Sequence, residues 1–301
     1  METCCILYNP KAGNGRGLNE ARRLDSIWSG KSLDYIDVTT IADIRAYLDS
    51  LPAETTVVLA GGDGTLNHFI NDMGGEAPAR DIYYFAAGSG HDFLGDAERT
   101  RDDPPFLLNP YLQNLPTVTV NGMTRYFLNG IGYGIDGYCC EVGDKQRLKS
   151  DKPVNYTAIA IKGLLFGYHR TLADVCVDGD TKAYRAVWLA PTMKGRFYGG
   201  GMMCAPGQNR LDPEGSVSTM VMTGRSKLKT LIVFPSIFKG GHIRHREMVT
   251  IRPGHEVTVR FNRPTALQID GETVLGVTEY SVSTRRSVGA AEKSEAAVVA
   301  E

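Results

Sequence analysis

Two patterns of apolar and polar positions divide the chain, and the first pattern covers residues 1 to about 117. Short apolar runs rich in β-branched residues predict strands, and the apolar spacing between them is typical of helices. The predicted strands cover 4–8, 33–38, 57–60 and 82–86, and the predicted helices cover 18–28, 41–51 and the residues from 67 to 71. Strands that alternate with helices predict an open parallel sheet, which binds its ligand at the carboxyl edge of the strands.

The second pattern begins after Pro116, where short segments rich in β-branched residues follow one another without intervening helices. The predicted strands cover 117–121, 126–134, 172–177, 184–190, 216–223, 247–251, 256–261 and 266–269, and one helix is predicted over 155–167. This pattern predicts an antiparallel β domain over 118–284, after an α/β domain over 1–117. Residues 285–301 are polar and rich in alanine, and they either pack on the first domain or form a frayed tail.

Composition excludes several classes of protein. The 301 residues carry a net charge of −1, so no basic excess predicts a nucleic acid partner. Six cysteines lack C-x-x-C spacing, which gives no indication of a zinc site or a disulfide framework. The sequence shows neither a basic amino-terminal segment typical of a signal peptide nor an apolar run of the roughly 20 residues that cross a bilayer. We therefore expect a cytoplasmic protein with reduced thiols.

Residues 57–67, VVLAGGDGTLN, predict a buried strand, a glycine turn and the start of a helix. Glycines in such a turn allow backbone N–H groups to approach a phosphate chain, and the positive end of the helix dipole favours the anion. A carboxylate at Asp63 would repel phosphate unless a divalent cation lay between them. The turn therefore predicts a Mg-nucleotide site, although its spacing matches neither G-x-G-x-x-G nor the P-loop.

Other loops carry candidate site residues, each with a simpler alternative. Lys11 and Arg16 lie in a glycine loop that could close over phosphates or form a solvated basic loop. Thr39 and Thr40 could bind a nucleotide or cap the following helix. The turn at Asp212 could hold a cation or be an Asx turn, and the carboxylates in 270–272 could be catalytic or belong to a hairpin turn.

Six motifs together resemble one family, the soluble diacylglycerol kinase-like lipid kinases, which are relatives of sphingosine and ceramide kinases. In chain order they are NPKAG at 9–13, GGDGTLN at 61–67, GSGHDF at 88–93, YGGGM at 198–202, LDPEG at 211–215 and DGE at 270–272. The motifs span nearly the whole chain. The sequence departs from the family pattern at Ala87, where proline is common, and at His91, where asparagine is usual.

The resemblance implies an NAD-kinase-like α/β nucleotide-binding domain, an antiparallel β-sandwich domain and a cleft between them. It further implies ATP-dependent phosphorylation of a lipid hydroxyl, with diacylglycerol as the expected substrate and Mg²⁺ as the metal. Together with the basic loop, it implies a nucleotide site formed by Asn9, Lys11, Arg16, Thr39 or Thr40, Gly62, Asp63, Gly64, Thr65, Leu66, Asn67 and Ser89. It also implies a structural Mg²⁺ site at the Asp212 carboxylate and the carbonyls of Asn209 and Glu214.

Phosphoryl transfer depends on positioning and charge neutralisation more than on covalent catalysis. Under the resemblance, Asp63 would anchor Mg²⁺, and Lys11 and Arg16 would offset charge on the transferred group. Either Asp270 or Glu272 would accept the proton of the lipid hydroxyl.

Residues 228–241 are predicted to contact a membrane, because their apolar and aromatic residues are bracketed by lysines and arginines. Such a segment suits shallow insertion into an anionic leaflet, and the alternative is a core helix with a solvated basic face. We therefore expect peripheral membrane association. The sequence leaves open whether the protein forms a homodimer. The alternative functions are a kinase for a soluble substrate such as NAD, and a non-catalytic regulator that binds lipid or nucleotide.

Overall fold

The computed structural model describes residues 3–88, 92–149 and 154–284, apart from the side chain of Thr157. Ser89, His91 and the predicted segment 285–301 lie outside the described residues. Within those ranges the chain forms an α/β domain followed by a β-rich domain. The predicted fold class is therefore confirmed.

The first domain contains one sheet, with strands β1 (Thr3–Tyr8), β2 (Ser32–Asp37), β3 (Thr56–Gly61), β4 (Ile82–Ala86) and β5 (Phe106–Leu107). The strand order in the sheet is β2-β1-β3-β4-β5. Strands β1 to β4 run parallel, and β5 pairs antiparallel with β4. Parallel strands bring their carboxyl ends to one edge, so the loops after β1, β2, β3 and β4 meet there.

Short helices cover this sheet: α1 (Ala12–Gly15), α2 (Gly17–Ala21), α3 (Leu24–Ile27), α4 (Ile44–Ser50), α5 (Asp63–Asp72), α6 (Asp92–Asp96) and 3₁₀ turns at Val38–Thr40 and Asn109–Leu112. The predicted single helix over 18–28 was wrong, because the chain breaks between α2 and α3. At the break, Arg23 donates to the backbone carbonyls of Ala86 and Arg101. Helix α4 begins three residues later than predicted, because the Asp43 carboxylate caps it by accepting the Ala46 N–H.

The second domain contains a sheet of ten strands among the described residues. They are β6 (Thr117–Val120), β7 (Met123–Tyr126), β8 (Gly130–Tyr133), β9 (Thr171–Val177), β10 (Asp180–Leu189), β11 (Thr192–Met193), β14 (Val217–Thr223), β15 (Val249–Gly254), β16 (Glu256–Ile269) and β17 (Glu272–Ser283), and a separate hairpin is formed by β12 (Phe197–Tyr198) and β13 (Met202–Met203). The long strand β16 pairs with β9 through its first half and with β8 through its second half. The sheet therefore folds over at β16 and encloses one apolar core.

A helix that the sequence analysis missed, α7 (Ile135–Arg147), follows β8 directly. The prediction of one strand over 126–134 was also wrong, since β7 and β8 are separate. Gly134 makes the turn into the helix with a φ of +115°. Gly137 and Gly143 weaken the helical signal of the sequence, but both are needed for packing. A side chain at 137 would meet the Ala266 carbonyl, and one at 143 would meet the Tyr156 ring.

Two further helical segments pack beside α7. The predicted helix over 155–167 is present as α8 (Tyr156–Lys162), which continues as a π-helical turn (Gly163–Gly167). Residues 227–244 form α9 (Lys227–Val233) and two 3₁₀ turns (Phe234–Lys239 and Gly241–Arg244). In the part of the chain that is described, every helix is too short or too polar to cross a bilayer.

A buried ion pair joins the two domains. Asp96 in α6 accepts from Arg210 at 2.5 Å and from Arg196 at 2.8 Å, and both arginines belong to the second domain. Arg210 also donates to the carbonyls of Leu128 and the Asn129 side chain. Because Asp96 and Arg210 are both withdrawn from water, this contact fixes the relative position of the domains at the cleft.

Candidate active site

The loop after β1 is tied to the glycine turn after β3. The Asn9 side chain donates to the Thr65 hydroxyl at 3.1 Å, and the Lys11 N–H donates to the Asn9 side chain at 2.9 Å. Gly88, after β4, lies so close to Gly62 that a Cβ at 88 would be 2.7 Å from the Gly62 nitrogen. The loops that follow β1, β3 and β4 therefore meet at the carboxyl edge, where the sequence analysis expected a nucleotide.

Residues Gly62 to Asn67 form the start of α5, with Gly62 as its cap. The first N–H groups of a helix have no partners within the helix, so those of Asp63, Gly64 and Thr65 can bind an anion. Leu66 and Asn67 point into buried surroundings. This part of the predicted site therefore combines three backbone N–H groups that can bind an anion with two buried side chains that hold the helix start in place.

The other predicted nucleotide residues are more loosely placed. Lys11 is exposed, and Arg16 donates to the Gly13 carbonyl at 3.2 Å. The hydroxyls of Thr39 and Thr40 donate to Asp37, which caps the 3₁₀ turn after β2. The simpler alternative, that they cap the following helix, was wrong, because Asp43 caps α4. Ser89 lies outside the described residues.

Asp63 lies beneath these loops with one carboxylate oxygen unsatisfied. Its Oδ2 accepts the Asp92 N–H at 3.2 Å, whereas its buried Oδ1 has no hydrogen-bond partner among the described residues. Burial, and then the neighbouring Asp92 charge, raises the pKa of Asp63 to about 7. A cation would remove both penalties, because it would pair the free oxygen and favour the ionised form.

Asp270 is the most heavily hydrogen-bonded carboxylate of the site. Its Oδ2 accepts from the Asn67 side chain at 2.7 Å and the Leu128 N–H at 2.6 Å. Its Oδ1 accepts from the N–H groups of Asn129 at 2.8 Å and Gly130 at 3.0 Å. These donors come from both domains and hold the carboxylate in one orientation.

Glu272, the second member of the predicted carboxylate pair, has different partners from Asp270. Its carboxylate pairs with Arg125 at 2.5 Å, and Arg125 donates to the Asn67 side chain at 2.6 Å. A chain of contacts therefore runs from Glu272 through Arg125 and Asn67 to Asp270. The two carboxylates that the sequence grouped together have different surroundings.

A cavity of about 790 Å³ opens between the domains. Its polar end is lined by the carboxylates of Asp63, Asp92, Asp136 and Asp270. Its walls are mostly apolar and come from α7, α8 and the residues just before it, the 3₁₀ turn after α9, and strands β10 and β13. The apolar lining residues include Ile135, Val154, Ala160, Ile161, Leu189, Met202, Phe234 and Phe238. The cavity can therefore hold a molecule with a long apolar part and a polar end at the carboxylates.

The sequence analysis missed several residues at the polar end. Asp92 accepts the N–H groups of Gly200 and Gly201 at 3.0 and 2.7 Å, so the GSGHDF and YGGGM motifs meet there. Asp136 is buried in α7, and burial raises its pKa to about 7. Asp92 lay within a quoted motif and could have been found. Asp136 had no local signal, because the helix that carries it was not predicted.

Three polar atoms around Asp136 have no hydrogen-bond partner among the described residues: Asp136 Oδ2, the Tyr198 hydroxyl and Gln268 Nε2. All three residues line the cavity. Tyr198 and Gln268 lie close enough to the Asp136 carboxylate to lower its pKa, against the larger effect of burial. A polar group of a ligand that reached this end of the cavity would meet all three side chains.

The predicted metal turn at Asp212 uses its carboxylate within its own loop. Asp212 accepts the N–H groups of Glu214 and Ser216, both at 3.1 Å, and the Ser216 hydroxyl, which lowers the pKa of Asp212. The Asn209 carbonyl accepts the Asp212 N–H at 3.2 Å. Nowhere in the described ranges do three or more His, Cys, Asp or Glu side chains form a cluster that could bind a metal. The geometry is that of an Asx turn, and the Mg²⁺ site there stays a prediction.

Comparison with known proteins identifies the family. The model of the diacylglycerol kinase catalytic domain matches residues 3–119. The model of the YegS C-terminal NAD kinase beta sandwich-like domain matches residues 129–285, more than half of the chain. The chain belongs to the diacylglycerol kinase-like lipid kinase family. The resemblance found in the sequence is thereby confirmed, and the family is one of ATP-using kinases.

Relatives match most of the length of this family member. A diacylglycerol kinase of Mycobacterium tuberculosis is 23% identical over 257 residues, which cover 82% of this chain and 81% of the relative. YtlR of Bacillus subtilis, provisionally named a lipid kinase, is 21% identical to this chain. The match covers 94% of this chain and 96% of YtlR. A crystal structure of a diacylglycerol kinase from Bacillus anthracis aligns with a TM-score of 0.61 at 16% identity, covering 94% of this chain and 93% of the other. That structural likeness supports the fold.

Opposite effects on stability are expected from removing the two charges at Asp63 and Asp270. The native pKa of Asp63 is about 7 and its usual value is 3.8, so ionisation destabilises the native state as pH rises through this interval. Without added metal at pH 8, Asp63→Asn should therefore raise the free energy of unfolding by about 1–4 kcal/mol. Asp270→Asn should lower it by about 2–4 kcal/mol, because an amide nitrogen would face N–H donors.

Urea denaturation of both variants at pH 8 and pH 4.5 measures these differences. The gain from Asp63→Asn should shrink at pH 4.5, where wild-type Asp63 is protonated in the native state. If Asp63→Asn instead lost stability at pH 8, as Asp270→Asn is expected to, the ionised Asp63 carboxylate would not be destabilising in the native state, and the prediction would be wrong.

The metal prediction at Asp212 has its own test. If Mg²⁺ binds the native turn, added Mg²⁺ raises the melting temperature by mass action, and Asp212→Ala abolishes that shift. Asp63→Asn serves as the control, since it removes the other candidate ligand. Differential scanning calorimetry with and without Mg²⁺ distinguishes the two. A full Mg²⁺-dependent shift in Asp212→Ala would mean that the metal binds elsewhere.

Proposed function

We propose that this family member transfers the γ-phosphate of ATP to the hydroxyl of a membrane lipid, with diacylglycerol as substrate and phosphatidic acid as product. The observation that carries the proposal is the cavity, whose apolar walls end at four carboxylates beside the glycine turn. A long acyl chain matches the walls, and a hydroxyl at the polar end would lie near a nucleotide held by that turn.

The nucleotide part of the proposal rests on the carboxyl edge of the first sheet. The N–H groups at the start of α5 would bind phosphate oxygens, and Asn9 would keep the first loop against Thr65. Lys11 and Arg16 follow Asn9 in the same loop. Their side chains could therefore close over the phosphates and offset their charge. ATP phosphates would then approach the polar end of the cavity from the first domain.

A divalent cation fits Asp63. The buried Oδ1 of Asp63 has no partner among the described residues, which is the environment in which a carboxylate is stabilised by Mg²⁺ or by a Mg²⁺-bound water. When bound, Mg²⁺ supplies charge neutralisation for the phosphates. Asp63 would hold the ion, and Asp92 is close enough to add negative charge to the same region.

Asp270 is the better candidate for the group that accepts the hydroxyl proton. It lines the cavity, whereas Glu272 does not and is instead paired with Arg125. Four N–H donors hold the Asp270 carboxylate in place. Phosphoryl transfer through a loose transition state needs little proton acceptance before the bond to phosphorus forms. Glu272 is then a positioning residue that acts through Arg125 and Asn67. Asp136, Tyr198 and Gln268 would bind the remaining polar part of the lipid.

The two alternative functions have less support. A soluble substrate such as NAD would leave most of the apolar wall without a partner, and the cavity offers few polar groups away from its carboxylate end. A regulator without catalysis would not need the costly burial of Asp63 and Asp136. One experiment tests both alternatives together with the proposed function.

The experiment is a phosphate-transfer assay with labelled ATP and Mg²⁺, in which diacylglycerol in mixed micelles is compared with NAD. Label should appear in phosphatidic acid. Asp63→Asn and Asp270→Asn should each reduce kcat by at least about 10²-fold, in the range for removal of one electrostatic contact. Glu272→Gln should reduce it less, by about threefold to thirtyfold, because its effect is indirect.

Transfer to NAD in preference to every lipid would reject the lipid substrate. No transfer to either would favour the regulator. Equal losses for Glu272→Gln and Asp270→Asn, with Asp270→Asn folded, would reverse the assignment of the two carboxylates.

A further inference from the structure

An apolar surface surrounds the opening of the cavity. Three residues of the cavity wall, Tyr156, Ile161 and Phe238, are also exposed to solvent, so they mark the opening. The most exposed large apolar side chains of the described residues lie on adjoining segments: Leu148 (89%) just after α7, Phe166 (80%) in the π-helical turn, and Leu228 (70%) and Ile232 (69%) in α9. We refer to these seven residues as the mouth face.

The segments that carry the mouth face are packed together. The π-helical turn that contains Phe166 contacts α7, α8 and α9. The Lys227 ammonium donates to the Leu165 carbonyl at 2.6 Å and so joins α9 to that turn. The sequence analysis identified only 228–241, and the fold adds Leu148 and the α8 segment to the same surface.

Helix α9 has a buried side and an exposed side. It is therefore compatible with both alternatives for residues 228–241, a core helix and a segment that contacts a membrane. Thr230 and Val233 are buried against the domain, whereas Leu228 and Ile232, four residues apart, are exposed on the other side. One side of the helix therefore belongs to the core. The other side leaves apolar area in water, which is costly unless a partner covers it.

Charge indicates which partner covers the mouth face. Residues 154–170 and 225–246 contain eight lysines and arginines and no aspartate or glutamate, although the chain as a whole has a net charge of −1. Exposed cations among them include Lys162, Lys239, Arg244 and Arg246. Apolar side chains ringed by cations match a leaflet with an apolar interior and anionic head groups.

We propose that the mouth face docks on an anionic bilayer, with Phe166, Leu228 and Ile232 inserted among the lipids. The cavity opening then lies against the leaflet, and a lipid enters the cavity without crossing water. The role of the docked lipid as substrate rests on the proposed function. Docking itself does not, because it needs neither ATP nor catalysis.

The experiment measures binding to vesicles by sedimentation, without ATP. Vesicles of phosphatidylcholine alone are compared with vesicles that also contain phosphatidylglycerol. The wild type should bind the anionic vesicles at least about tenfold more tightly, and binding should fall as salt is raised. The triple variant F166S/L228S/I232S should lose at least about tenfold in affinity for them.

The matched control is M123S/L275S, which removes two other exposed apolar side chains that lie on β7 and β17. It should bind within about twofold of the wild type. All variants are first compared by thermal unfolding, because substitutions at exposed positions should leave the fold intact. Size-exclusion chromatography records the oligomeric state of each.

Unchanged vesicle binding in the triple variant, or equal binding to neutral and anionic vesicles, would overturn the proposal. So would a dimeric wild type that becomes a monomer in the triple variant, since a second copy would then cover the face. Activity distinguishes this proposal from the proposed function. Normal vesicle binding with no phosphorylation of any lipid would refute the function and leave the docking face standing, whereas full activity on a short-chain diacylglycerol in the triple variant supports both.

Discussion

Four N–H groups converge on the Asp270 carboxylate, and the geometry of the whole cleft depends on this convergence. Asn67 donates from the helix that follows the glycine turn, and Leu128, Asn129 and Gly130 donate from the start of the second domain. One carboxylate therefore joins the helix after the glycine turn to the start of the second domain. The buried pair of Asp96 and Arg210 holds the same two domains together on the other side of Asn129. Small shifts of either domain would break several charge-assisted hydrogen bonds at once.

Two other carboxylates at the polar end of the cavity are in the opposite situation to Asp270, because they are buried without enough hydrogen-bond donors. Burial raises the pKa of both Asp63 and Asp136 to about 7, and each has an oxygen without a partner among the described residues. The folded chain bears this cost in the absence of ligand. A cation at Asp63 and a polar lipid group at Asp136 would remove it. In this view Asp270 would hold the site in place, and ligand binding would relieve the cost of burying Asp63 and Asp136.

How far the sequence could predict this arrangement depended on how local each signal was. Asp63 and Asp270 lie in short turns that follow apolar strands, so the residue types and their order indicated them. The alternation of strands and helices likewise predicted the fold class. Glu272 was grouped with Asp270 because they are two residues apart, but the turn at Gly271 directs one carboxylate into the cavity and the other toward Arg125. Asp136 could not be found, because Gly137 and Gly143 hid helix α7, and only the tertiary contacts with Ala266 and Tyr156 explain those glycines.

The central claim is that the cavity between the domains binds a lipid with its polar end at Asp270. Photolabelling tests it most directly: a diacylglycerol with a photoreactive group at the end of one acyl chain is cross-linked to the wild type, and the labelled peptides are mapped by mass spectrometry. Label is expected on the cavity wall, in 154–162 and 234–238, and unlabelled diacylglycerol should compete with it. Saturable label confined to other surfaces, such as the hollow beside β2 lined by Tyr35 and Tyr47, would contradict it.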